Sequence, residues 1–227
     1  MENDLKIIKE KLRIAALLAI NAGFIDAYTF FHYGARFAGA QTGNLVQAGI
    51  AFAQGNWLLL GSFLVPIFFF MLGIMLRTVI SHFRMKNNQA DTVFLVCLQL
   101  LLLLFFVTVY IFIFRFSATL VIGILSFIMA IQMNNFTATR GLAYGSIFST
   151  ANMRSLAQNF TQFILTKEIK FLKNTRVFLI VITSFFIGSA LSTFAQKFLG
   201  IRTLYGSAVI LILVLVIFKN EQRNLKK

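Results

Sequence analysis

The chain has 227 residues, 59% of them hydrophobic and 12% charged, with 28 Phe, one Pro and one Cys. Soluble domains average about 45–50% apolar and about 25% charged residues, which excludes water-soluble enzymes, disordered tails and disulfide-stapled secreted domains. A net charge of +14 would suggest nucleic acid in a soluble protein, but most basic residues here flank apolar runs, where they follow the positive-inside rule and meet anionic headgroups.

A bilayer core takes about 20 apolar helical residues to cross, and the first such run extends from about Leu12 to Phe31. It continues past Asn21 and Asp26 without a clear small-residue cleavage site, which reads as a retained first span rather than a signal peptide. A short segment with interspersed polar residues follows, about Thr42 to Gln54. Leu58–Ile80 is strongly apolar and holds Pro66, a kink site. After a polar loop, Ser81–Asp91, Thr92–Phe114 carries almost no polar side chains and faces lipid; its Cys97 allows no intramolecular disulfide. Leu120–Met133 ends in Asn134 and Asn135, and a second short segment runs from about Thr150 to Leu165. A basic loop (Lys167, Lys170, Lys173, Arg176) precedes the last two runs, Val177–Phe194 and about Leu204–Phe218, and a basic tail.

The order long, short, long, long therefore occurs twice. Sliding the chain by 108 residues aligns the halves without a gap, and Leu12–Gln54 then shows ten identities, among them Thr42 with Thr150, Asn44 with Asn152 and Gln54 with Gln162. Asp26 falls on Asn134. The expectation is one all-α polytopic membrane domain built from two repeats, about 12–114 and about 120–218. If the short segments cross fully, there are eight spans, parallel repeats, and 13 basic residues inside against 7 outside. If they dip in and return, there are six spans plus two re-entrant helices, inverted repeats, and a split of 16 against 4 with both termini cytoplasmic. The positive-inside rule favours six. Inverted repeats with short segments at matching positions point to a secondary-transporter core.

Asp26 is the one acidic residue well inside an apolar run. A carboxylate at helix centre costs about 2.5–3.5 kcal/mol even on insertion scales, so it needs a partner or a proton. It reads either as a coupling site for H⁺ or Na⁺ or a ligand-binding carboxylate, or as an acid bonded to a neighbouring Thr or Asn that knits the bundle. In the Gln41-Thr42-Gly43-Asn44 stretch, Thr42 or Asn44 can cap the short helix and Gly43 can admit a ligand or another backbone. The matching stretch is Ser149-Thr150-Ala151-Asn152. Asn44, Gln47 and Gln54, and likewise Asn152, Ser155, Asn159 and Gln162, fall on one helical stripe, which in lipid must turn toward partners or water. With Gln132, Asn134 and Asn21 these side chains are expected to line one polar cavity between the repeats. Arg36 and Arg140 read as interfacial anchors or as an anion funnel, and Arg154 as a headgroup contact, an ion-pair partner or an anion ligand. No HExxH, CxxC, P-loop or GxSxG is present, so neither an enzyme, a cofactor nor a bound metal is expected.

Gly23-Phe24-Ile25-Asp26-Ala27, then Phe37 and Thr42-Gly43-Asn44-Leu45, resemble the signature of the YoaK family (DUF1275). Ile131-Gln132-Met133-Asn134 and Ser149-Thr150-Ala151-Asn152 resemble its second-half motifs, with Ala130 and Ala151 where glycine is common and Met133 between Gln and Asn. The resemblance runs from about Ala15 to Phe218 and implies a multi-pass protein of the bacterial plasma membrane, associated with transport and without an assigned substrate. The sequence thus leads to a small permease that takes a small solute or ion through Asp26, Thr42, Gly43, Asn44, Gln47, Gln132, Asn134, Thr150 and Asn152. The rivals are a passive channel and a non-transporting membrane scaffold. The expected partners are the lipid bilayer and the solute, with a homodimer compatible with the small size and no nucleic acid.

Overall fold

The computed structural model describes residues 7–87, 91–147 and 149–225. Its helices are α1 (Leu12–His32), α2 (Gln41–Ala53), α3 (Trp57–Lys86), α4 (Thr92–Phe112), α5 (Ala118–Asn135), α6 (Ser149–Thr166), α7 (Ile169–Leu199) and α8 (Tyr205–Leu225). A two-stranded hairpin, β1 (Ala138–Thr139) with β2 (Leu142–Ala143), follows α5, and a 3₁₀ turn, Gly200–Leu204, joins α7 to α8. Five helical stretches are long and apolar enough to cross a bilayer: α1, α3, α4, α5, and the stretch 169–224 that comprises α7, the turn and α8. The protein is an all-α, membrane-embedded polytopic chain.

Local chemistry sets several ends. The Asn56 side chain accepts from the Leu59 N–H at the start of α3, and Ser117 accepts from Leu120 N–H at the start of α5. Gly200, at φ +52°, lets the chain leave α7 and turn back, a conformation that costs a side chain but not a glycine.

Contacts between named residues fix the helix directions. Along α1 and α5, Glu10 meets Thr139, Asn21 meets Gln132 and Arg36 meets Thr119, so the two run antiparallel. Asn135 bonds the Thr92 carbonyl and Gln132 bonds Gln99, which makes α4 antiparallel to α5. Lys11 pairs with Glu221, and Asn21 with Ser207, which makes α8 antiparallel to α1. Ala16 lies by Ile180, and Phe30 and Phe31 by Thr193, so α7 runs with α1. Val65 lies against Gly123 and Gly73 against Phe127, so α3 runs with α5. The helices α1, α3, α4, α5, α7 and α8 therefore alternate in direction along the chain.

The tightest packings join α1 to α7 and α3 to α5. A Cβ on Gly23 would strike the Phe185 carbonyl, one on Gly188 the Ile20 carbonyl, and one on Gly73 the Phe127 carbonyl. Glycines thus let backbones touch where a hydrophobic drive between helices is absent, as expected in lipid. The remaining partners are α2 with α3 and α6 with α7, α4 with α5 and α8 with α1, and α4 with α8.

α2, of 13 residues, and α6, which at 18 residues is as long as α5 but is not among the stretches apolar enough to cross, do not run through the bundle. After α1 the chain turns back, so that Gly39 lies beside Asp26 and Gln41 beside Ser126; α2 then climbs to the end where Trp57 sits near Arg36 and Thr119. At the opposite end the hairpin is pinned to Glu10, whose carbonyl accepts from Arg140 N–H and Thr139 Oγ1. The chain next rises until Ile147 touches Gly39, and α6 descends beside α7, where Asn174 bonds Asn159. Both α2 and α6 start deep and end on the side their segments came from.

Candidate functional site

Asp26 sits nine residues after Leu17 on the face of α1 that meets the 38–40 loop and α7. It is 3% exposed. Its Oδ1 accepts from the Gly39 N–H at 2.6 Å, while Oδ2 has no hydrogen-bond partner. No described ion pair involves it. An ionisable oxygen buried without a partner is costly, which makes Asp26 the candidate site residue.

The local sequence explains the placement. Thr29, one turn on, returns its hydroxyl to the Asp26 carbonyl at 3.1 Å and accepts from Ala38 N–H at 3.3 Å. Asn44 holds the same loop from the other side: its Oδ1 accepts from Phe37 N–H at 3.0 Å and its Nδ2 donates to the Phe37 carbonyl at 2.7 Å. Gly39 is required because a Cβ there would press on Ile147 and on both Asp26 oxygens. The loop therefore delivers one N–H to the carboxyl group and no bulk.

An open-sided cavity of about 300 Å³ lies on this spot, walled by Asp26, Ala27, Phe30, Phe31, Phe37, Phe185, Ser189 and Thr193. Larger clefts of about 780 and 620 Å³ lie at the two ends of the bundle, one by Lys11, Arg13 and Arg140 and one by Arg36 and Trp57. Neither of those is walled by a buried carboxylate with an unpaired oxygen, and we take the smaller cavity as the site.

The expected single cavity is not what forms. Gln132 is buried in a closed network: its Oε1 accepts from Asn21 Nδ2 at 2.7 Å and from Gln99 Nε2 at 3.3 Å, and its Nε2 donates to the Leu18 carbonyl. Ser207 Oγ completes it by donating to Asn21 Oδ1 at 2.5 Å. This ties α1, α4, α5 and α8 together. Asn152 is held away from Asp26 by its own loop, exchanging bonds with Gly145 N–H and carbonyl at 3.2 and 2.8 Å. Asn134 lies near the far end of α5 and donates to Thr78. Gln47, Thr42 and Thr150 are exposed, and Gly43 is filled by the Phe37 ring. The start of α2 takes no side-chain cap from Thr42 or Asn44. Of the nine candidates, Asp26 alone walls the cavity, and Asn44 supports its loop.

Sequence reasoning missed Phe185, Ser189 and Thr193 on α7 and the two Phe residues that end α1. Ser189 and Thr193 stand four apart on α7, but Thr183, Ser184 and Ser192 lie on the same helix, so the i, i+4 spacing was a signal without selectivity.

A family model described as "Protein of unknown function (DUF1275)" matches residues 14–217. No curated protein and no solved structure matches the chain.

Proposed function

The chain belongs to the DUF1275 family, and from that premise we propose that it is a small permease that moves a small solute across the bacterial plasma membrane, with Asp26 as the group that binds the solute or its coupling ion. The observation that carries this is a buried carboxylate with one unpaired oxygen at the wall of an open cavity. A protein evolved only to hold its helices together gains nothing from that arrangement, since the Asn21–Gln132 network does the same work with neutral, satisfied groups.

The frame supports the reading. Two segments, 12–114 and 120–218, are read as inverted repeats with six spans and two re-entrant helices. Under the 108-residue shift the Asn44–Phe37 pair becomes the Asn152–Gly145 pair, with the same reciprocal bonds. The same shift exchanges α1·α7 with α5·α3, and α2·α3 with α6·α7. Gly39 and Ile147, which touch, are also 108 apart, as a twofold axis between the halves would require. Positions of this kind are where solute sites lie in inverted-repeat carriers. No covalent chemistry, cofactor or metal enters the reading. A passive facilitator is the second reading, favoured by the approach of two half-helix starts at Gly39 and Ile147.

The test is uptake into proteoliposomes of a solute first found by thermal-shift screening. Wild-type protein is expected to accumulate the solute against its gradient when a proton or Na⁺ gradient is imposed, and Asp26→Asn to lose accumulation while remaining folded and monodisperse. Fully coupled uptake by Asp26→Asn overturns the role of Asp26. Strictly downhill flux, indifferent to both gradients, selects the facilitator.

A further inference from the structure

We infer that the Asp26 cavity is a site for a small organic ammonium ion, an amine carrying an apolar or aromatic body. The inference deepens the transport reading by naming the solute class, and rests on that reading only for the passage of the ligand, not for its binding.

The hydrogen-bonding character of the wall decides the sign of the ligand. Asp26, which lines the cavity, keeps its Oδ2 buried and without a hydrogen-bond partner. Ser189 Oγ directs its single hydrogen toward the Gly23 and Phe185 carbonyls, each at 3.1 Å, and Thr193 Oγ1 directs its own to the Ser189 carbonyl at 3.0 Å. Both hydroxyls can therefore offer only lone pairs to the cavity. Three amide donors of the loop are committed: Gly39 N–H to Asp26 Oδ1, Ala38 N–H to Thr29, and Phe37 N–H to Asn44. Three acceptor oxygens with no free donor among the described lining side chains repel an anion and suit a group that donates three hydrogen bonds.

The rest of the wall decides the ligand's body. Phe30, Phe31, Phe37 and Phe185 supply aromatic rings, and Ala27 supplies an apolar floor. Ring faces attract cations, more strongly where water is excluded. A bare metal cation would want six or more oxygens if it were of the calcium type, and this wall supplies three. About 300 Å³ is at the lower end of the range for ligand pockets, enough for an amine of about ten heavy atoms.

The full-length purified protein is melted in detergent with four probes: 2-phenylethylammonium, the neutral 2-phenylethanol, the anionic phenylacetate, and Na⁺ exchanged for K⁺. We expect a saturable rise in Tm with 2-phenylethylammonium alone, since a ligand of the folded state stabilises it by mass action. Asp26→Asn should remove the shift. Thr193→Val, an isosteric change on the exposed side of α7, should weaken the apparent affinity about tenfold through one lost charge-assisted bond. An equal rise with 2-phenylethanol, any rise with phenylacetate, a rise with Na⁺ alone, or no rise with the ammonium overturns the proposal. The wild-type ligand comparison decides even if a variant fails to fold. Ammonium binding without flux in proteoliposomes sustains this inference and removes the transport reading; coupled flux of another solute without ammonium binding does the reverse.

Discussion

Single atoms decide how closely this bundle closes. At Gly188 a methyl group would occupy the space of the Ile20 carbonyl, which is backbone and cannot swing aside. Gly61 in α3 has nothing within 4 Å of the same position. Gly188→Ala is therefore expected to cost about 1–3 kcal/mol through overpacking, whereas Gly61→Ala should leave stability unchanged or raise it by about 0.5–1 kcal/mol through helix propensity. Thermal melts of the two variants side by side check the contrast. Lys9, outside the spans, offers a test of a different kind. Burial pushes its ammonium below the usual lysine range, with Arg77 adding to the fall and Asp91 and Glu10 opposing it; its Nζ also lies 5.7 Å from the Phe136 ring centre. The folded state thus binds this proton less tightly than the unfolded chain does. Stability must then rise as pH climbs through the folded value toward the ordinary lysine value, and lie flat above it. The Tm of wild type relative to Lys9→Met should rise between pH 7 and pH 10; a constant gap refutes the burial account.

At the scale of elements, the loops that lead into α2 and α6 depend on two asparagines. Asn44 and Asn152 each satisfy the N–H and the carbonyl of the residue seven positions earlier, and both are buried. Removing either side chain leaves two backbone groups unpaired, a cost of about 1–3 kcal/mol per group. Asn44→Ala should speed amide exchange at Phe37 and loosen the loop that carries Gly39, while Asn152→Ala should do so at Gly145 and leave Phe37 protected. Exchange that rises equally at both loops in either variant would refute independent locks. The recurrence of Asn44 and Asn152 at a fixed offset is legible in the sequence, because polar residues are rare here; that each locks its own loop is not. The shared cavity does not form for a physical reason: helical periodicity puts Asn44 and Gln47 on one face but does not say what covers them. Asn44 bonds its own loop, and Gln47 is exposed. Gln132 reads in the sequence as a cavity-lining group, yet it is closed into a network with Gln99 and, through Asn21, Ser207, on helices whose adjacency no local pattern encodes. Ser189 and Thr193 were missed because small hydroxyl residues in an apolar helix carry the same signature whether they pack or bind.

The whole molecule turns on how many times the chain crosses, and here charge and direction can be set against each other. Lys11, Arg13 and Arg140 gather around the 780 Å³ cleft, and Arg77 pairs with Asp91 at the same end of the bundle, opposite Arg36 and Thr119. If that end is cytoplasmic, the helix directions place the α2–α3 and α4–α5 links outside and the α3–α4 and α6–α7 links inside. Full crossings by α2 and α6 would invert the first three of these and leave the fourth unchanged. Single cysteines in a Cys97→Ser background, labelled with a membrane-impermeant maleimide on intact cells, separate the two arrangements. Six spans predict labelling at Gln54→Cys and Arg115→Cys, and labelling at Met85→Cys and Thr166→Cys only after permeabilisation. Eight spans predict labelling of Met85→Cys on intact cells and protection of Gln54→Cys and Arg115→Cys. The result reaches the site as well. In the six-span arrangement α2 is a half-helix and the loop before it can carry Gly39 down to Asp26; a fully crossing α2 would have to begin at the outer surface, and the carboxyl group would lose the one hydrogen bond that positions it.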